Sequence, residues 1–161
     1  MFNLKTEFYL KIIFLFSFIG LISAFFIEYI LGHQPCNLCL IERIPYGLSI
    51  MIIMAIFLIR KNQKFLVMLL ILTFIFSFAI SFYHFGIEQG FFQESSVCGV
   101  KSSTEIVTKE DLLKQLSEKT ISCKDVTFRI FGLSLTSINI VISLLFIITL
   151  LKIFKKYEKN K

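Results

Sequence analysis

Four stretches of this 161-residue chain are each long and apolar enough to cross a lipid bilayer, and that limits the fold more than any other feature. A hydrocarbon core about 30 Å thick, crossed by a helix rising about 1.5 Å per residue, asks for about 20 mostly apolar residues. Spans are predicted at about 12–30, 44–59, 65–85 and 130–151. The second is the shortest; it extends outward through Leu40 and Ile41 if Glu42 and Arg43 sit at headgroup level, where an arginine snorkels. Backbone groups in hydrocarbon must be satisfied within their own segment. The economical fold is therefore all-α, an antiparallel four-helix transmembrane bundle forming one membrane domain over 1–161. Gly20 with Ala24, and Ser77 with Ser81, are spaced for close helix packing. A composition of 56% hydrophobic and 17% charged residues excludes a soluble globular domain, a disordered chain and a disulfide-rich miniprotein. A cleaved signal peptide competes for the first span, but its apolar run exceeds a signal core and no small-x-small cleavage site follows it.

The net charge of +6 would suit a nucleic-acid partner if it were clustered on one face, but it is partitioned instead. Segments 1–11, 60–64 and 152–161 carry ten Lys and Arg against only Glu7 and Glu158, a balance of +8. The opposite side, about 31–43 and 86–129 together with Glu28 near the end of the first span, sums to −2. By the positive-inside rule both termini face the cytoplasm. Tyr9 and Tyr157 then fall at the inner boundary, and Tyr29, Tyr46 and Tyr83 at the outer one. The basicity encodes topology in a lipid bilayer, and no nucleic-acid partner is expected.

This orientation puts all four cysteines outside: Cys36 and Cys39 in the first outer loop, Cys98 and Cys123 in the second. In a bacterium-like cell that is the oxidising side. Within the long second loop, Thr108 and Asp111 resemble a capping box. Leu112, Leu113 and Leu116 then give a short amphipathic helix ending near Lys119, lying on the membrane surface or packed on the bundle.

Cys36-Asn37-Leu38-Cys39 is a C-x-x-C pair, whose tight disulfide ring is exchangeable rather than structural. Cys39 and Arg43 are four apart, so an early-starting helix puts them on one face. A cation and a helix N-terminus both favour the Cys39 thiolate. Pro45 opposes helical geometry at Ile44 unless it lies in the first turn. A four-cysteine zinc site and a pair of purely structural disulfides are the competing readings. The 25-residue separation of Cys98 and Cys123 and the oxidising compartment weigh against zinc. Glu28 and Glu88 read as solvated headgroup-level charges.

Pro35-Cys36-Asn37-Leu38-Cys39-Leu40-Ile41-Glu42-Arg43 resembles the P-C-x-L-C-x-x-x-R signature of the DsbB disulfide bond formation proteins. The resemblance continues through Tyr83-His84, Cys98, Cys123 and Phe131-Gly132-Leu133 and covers nearly the whole chain in order. It implies a quinone-dependent protein-disulfide oxidoreductase in the bacterial inner membrane, with its active loops on the periplasmic side. Such a protein reoxidises a soluble DsbA-like, thioredoxin-fold thiol oxidase and passes two electrons to the membrane quinone pool, ubiquinone or menaquinone, without a metal. The resemblance assigns Cys98 to attack by the reduced partner and makes Cys123 its disulfide mate. It makes Cys36 the next acceptor and Cys39 the cysteine at the quinone ring. Arg43 matches an arginine beside the quinone and His84 a histidine near it. The chain departs from relatives in having no Trp.

A vitamin K epoxide reductase-like enzyme is disfavoured, because its C-x-x-C belongs in a later helix. A non-enzymatic membrane protein braced by two disulfides is the reading from another class.

Overall fold

The computed structural model describes residues 4–59, 62–93, 98, 122–124, 129–130 and 132–159. Among them four helices dominate: α1 (Leu4–Tyr29), α2 (Asn37–Leu58), α3 (Gln63–Glu88) and α4 (Leu135–Lys159). Strands β1 (Arg129–Ile130) and β2 (Leu133–Ser134) form a small antiparallel ladder just before α4. Each helix is long and apolar enough to cross a membrane. The amphipathic helix expected over Thr108 to Lys119 lies outside the described residues, as do Arg60, Lys61, Phe131 and Lys161.

α1 begins at Leu4, ahead of the apolar run predicted from about 12. Two further helix starts differ from the hydropathy reading, each for a local reason. α2 begins at Asn37 because the Cys36 side chain caps it, accepting from the Cys39 backbone N–H at 3.3 Å. It runs on through Pro45, which is fully buried. A proline here removes one backbone hydrogen bond, a loss that neighbouring helices make tolerable in membrane proteins. α4 begins at Leu135 rather than near Ile130, because the preceding residues pair as Arg129 with Ser134 and Ile130 with Leu133. The turn between them needs a positive φ, supplied by Gly132 at +82°. Ser134 then accepts from the Ser137 N–H at 3.2 Å, the usual role of a serine at a helix start.

The helices pack α1 on α2, α2 on α3 and α3 on α4. Toward the start of α1 and the end of α4, the interior is mainly apolar, with Thr6 and Thr73 as isolated buried hydroxyls. Leu10, Ile53, Ile56, Val67, Leu70, Phe74 and Leu150 are all completely buried there. The Phe74 and Phe146 rings meet edge-on at 5.0 Å, a favourable quadrupole arrangement. Further along, hydroxyl pairs link helices: Ser17 with Ser49, and Ser77 with Ser143, each at 3.1 Å. Ser77 thus meets α4 as its spacing suggested. Ser81 meets the same helix, accepting from the Asn139 amide at 2.7 Å. The outer faces are apolar too: Phe16, Ile19, Met51, Phe76 and Leu145 are each more than half exposed. Such a continuous greasy surface would not persist in water, and it fits a multi-pass membrane protein.

Candidate functional site

The C-x-x-C pair sits where the chain turns from extended Cys36 into the first turn of α2. The two thiols are free, with their sulfurs 2.8 Å apart. A ring nitrogen of His84, near the end of α3, approaches Cys36 Sγ at 3.6 Å. These three groups lie within 4.8 Å of one another and are ligand-capable. The two sulfurs are placed to close to a disulfide with little movement. Cys98 and Cys123 are joined in a disulfide with a Cα separation of 5.4 Å. In this state they cannot serve as thiolate ligands. The disulfide packs with Cys36, Leu38 and Ile87 in one buried cluster, flanked by Cys39 and Tyr83. All four cysteines therefore share one end of the molecule.

The favoured thiolate is Cys36 rather than Cys39. The helix N-terminus, expected to act on Cys39, meets Cys36 Sγ through the Cys39 N–H, because α2 starts about two turns earlier than the hydropathy pattern suggests. The Cys39 thiol and His84 also hydrogen bond to Cys36, and together these hold it well below the ordinary thiol range although burial opposes them.

His84 is buried and enclosed by polar groups from α2, α3 and α4. Its Nδ1 donates to Glu42 Oε1 at 2.8 Å, with Thr136 Oγ1 at 3.3 Å. Thr136 donates to Glu88 Oε1 at 2.7 Å. The second Glu42 oxygen accepts from Asn139 Nδ2 at 3.0 Å. Tyr46 donates to Asn139 Oδ1, so this tyrosine turns inward rather than anchoring at the headgroups. Glu88, read from sequence as a solvated charge, is buried instead, and its Oε2 lacks a partner among the described residues. Glu28 is likewise not free in solvent: it forms a largely buried ion pair with Arg43, whose guanidinium also lies over the Phe25 ring at 5.2 Å. Arg43 is 15 positions from Glu28 and Thr136 is 48 from Glu88, so these contacts do not show in the local sequence, although His84 lies one turn before Glu88.

Beside this network lies a cavity of about 240 Å³ between α1, α2 and α4. Its walls are mainly apolar, with Cys39, Glu42, Arg43, Tyr46 and Asn139 converging on it. Gly20 and Ala24 line it, and Tyr46 lies 3.8 Å from where a Gly20 Cβ would stand. These small residues thus leave room for the cavity instead of only bringing helices together. Neither Cys36 nor His84 is among the lining residues; both stand behind Cys39 and Glu42. At the end of α3 the Phe92 ring covers Gly86 so closely that a Cβ there would collide, and it stacks on Tyr83 at 5.7 Å. That folds the start of the long loop back over the site.

Fold and site together define a membrane protein with a thiol redox centre at one end of a helical assembly. Residues 6–153 match the family described as Disulfide bond formation protein DsbB. The chain belongs to that family. It is also 31% identical over 147 residues to an uncharacterized protein of Rickettsia prowazekii (strain Madrid E), covering 90% of this chain and 86% of the relative. Membership implies a role in disulfide-bond formation and a thiol oxidoreductase chemistry.

Proposed function

We propose that this protein reoxidises a soluble DsbA-like, thioredoxin-fold thiol oxidase and passes the two electrons to a membrane quinone. The observation that carries the reading is the placement of the cysteines. Cys39 opens onto an apolar cavity beside Arg43, while Cys36 packs against the Cys98–Cys123 disulfide. The cavity suits a quinone ring: mostly apolar walls for its faces, and a few convergent polar groups for its oxygens.

In this scheme the reduced partner attacks Cys98, and Cys123 is released to attack Cys36 of the Cys36–Cys39 disulfide. The partner's second thiol then frees Cys98, which attacks Cys123, restoring the Cys98–Cys123 disulfide and leaving Cys36 and Cys39 as the dithiol. Cys39, freed from Cys36, faces the cavity. Arg43 holds a permanent positive charge where negative charge develops, and Glu28 and Phe25 fix its guanidinium. A bound quinone supplies the two-electron acceptor. Each 30 mV of unfavourable potential in such an exchange costs about 1.4 kcal/mol, so the two cysteine pairs must be closely matched. The membrane arrangement belongs to the same proposal: an antiparallel bundle with both termini cytoplasmic and the cysteines on the periplasmic side of a bacterial inner membrane. The −2 and +8 flanks support it.

Purified protein given a reduced thioredoxin-fold oxidase and a quinone should reduce one quinone per thiol pair oxidised. Absence of quinone reduction above background, with all three present, overturns the reading.

A further inference from the structure

The reaction just proposed releases two thiol protons, and only one of the two thiols reaches the cavity. Cys39 lines it; Cys36 does not. Behind Cys36, however, the polar contacts are continuous: Cys36 Sγ to His84 at 3.6 Å, His84 Nδ1 to Glu42 at 2.8 Å, and Glu42 itself in the cavity wall. A carboxylate buried in an apolar helix is costly unless it is well partnered. Glu42 is held on both oxygens, by His84 and by Asn139.

We propose that Glu42 is a proton carrier that delivers the Cys36 proton to the cavity by way of His84. The inference rests on the quinone-linked reading above. As Cys36 and Cys39 close to a disulfide, the electron pair of the two thiols leaves for the quinone and both S–H protons follow it. Cys39 gives its proton directly to the cavity. The Cys36 proton, carried on His84 Nε2 while Cys36 is a thiolate, is relayed as His84 releases its Nδ1 proton to Glu42 Oε1 and Glu42 passes one to a reduced quinone oxygen. Two electrons and two protons leave the dithiol and two of each arrive, so the step balances. Thr136 and Asn139 are neutral and act as positioning groups: Asn139 orients the Glu42 carboxylate, while Thr136 bridges His84 and Glu88. The titratable or charged groups around the Glu42–His84 pair, among the described residues, are Cys36, Cys39 and Tyr46 on the α2 side, Glu88 on α3, and Arg43 and His33 at the cavity. Glu88, 3.9 Å from His84 Nε2, offers a second negative neighbour but does not reach the cavity wall.

Glu42→Gln keeps the shape and the hydrogen-bonding length while removing the exchangeable proton; Glu42→Asp restores a carboxylate on a shorter stem. Full-length protein in detergent with added quinone is followed by stopped flow, in ordinary and in heavy water. The carrier role expects quinone reduction to slow on the order of a hundredfold in Glu42→Gln, with partial recovery in Glu42→Asp and a solvent isotope effect in wild type. Disulfide exchange at Cys98–Cys123 should stay at the wild-type rate in both variants. An independent readout needs no quinone: the reduced-minus-oxidised infrared difference spectrum should contain a carboxyl protonation band that Glu42→Gln lacks. Equal rates in wild type and Glu42→Gln overturn the proposal, as does equal slowing in both variants with no isotope effect. An infrared band that survives in Glu42→Gln overturns it as well. Failure of the wild type to reduce quinone at all would instead strike the proposed function, and the infrared comparison still decides whether Glu42 takes the proton.

Discussion

The two ends of the helical assembly are built on opposite principles. Around Phe74 and Leu150 the buried side chains are mainly hydrocarbon, interlocked across α1, α2, α3 and α4, with Thr6 and Thr73 as isolated buried hydroxyls on those helices. Around His84 the same helices enclose two carboxylates, an imidazole, an amide, hydroxyls and free thiols. In lipid the first arrangement gains from dispersion and shape alone, because there is little hydrophobic drive between helices. The second is tolerable only because almost every polar atom has a partner, and it keeps groups of alterable charge next to a cavity. Packing and chemistry are thus segregated along the helices.

That segregation can be broken most decisively at Cys39. Replacing it by serine should cost turnover on the order of a thousandfold or more, since no other thiol lines the cavity, while the Cys98–Cys123 disulfide still forms. Quinone reduction by Cys39→Ser at the wild-type rate would remove the reactive end from the comparison. The opposite end is probed by Phe74→Ala, which should destabilise the fold by about 3 to 5 kcal/mol. The measurement is denaturation in detergent, with turnover per folded molecule unchanged. A large change in turnover would show that the ends are not separate.

Arg43→Ala should raise the apparent quinone KM about tenfold, equivalent to about 1.4 kcal/mol, in a steady-state titration. An unchanged KM would leave Arg43 with only its contacts to Glu28 and Phe25. A gentler test uses pH. The Cys36 thiol is more acidic in the folded protein, its pKa being lowered, so its thiolate persists at neutral pH and is lost only as pH falls through that lowered value. In His84→Leu one of the stabilising contacts goes, the value climbs toward the ordinary range near ~8.5, and alkylation of reduced Cys36 at neutral pH should slow about tenfold. Mass spectrometry of the alkylated peptide across pH reads this directly. The smallest effect is expected at Ser77→Ala, where loss of the hydroxyl contact to Ser143 should cost about 0.6 kcal/mol.

The apolar end was legible in the sequence almost entirely, because span length and hydropathy depend on local composition. The reactive end was legible only where chemistry is written in adjacent residues. Cys36, Cys39 and Arg43 announce themselves by spacing, and His84 by being a lone imidazole in an apolar run. Glu42 was overlooked because it sits between two more conspicuous residues and its carboxylate lowers local hydropathy, so it reads as the edge of a span. Its buried role depends on His84, 42 positions away, and on Asn139, 97 away. Asn139 carried a usable signal, an amide isolated within a long apolar stretch, which in a membrane helix points to a buried partner. The early start of α2 was hidden by Pro45, whose local preference gave way to the cap at Cys36 and to burial.

That cap has a consequence of its own. Helices commonly begin on an oxygen from serine, threonine or aspartate, whose hydrogen-bonding capacity is indifferent to oxidation. Here the first turn of α2 begins on sulfur. As a thiolate, Cys36 places a full negative charge at the positive end of the helix, worth about 0.3 to 1 kcal/mol in an exposed setting; locked in a disulfide, it offers a neutral and weaker acceptor. The firmness with which α2 starts therefore tracks whether the protein is holding electrons, and the backbone beside the reactive pair has a built-in way to feel its charge state.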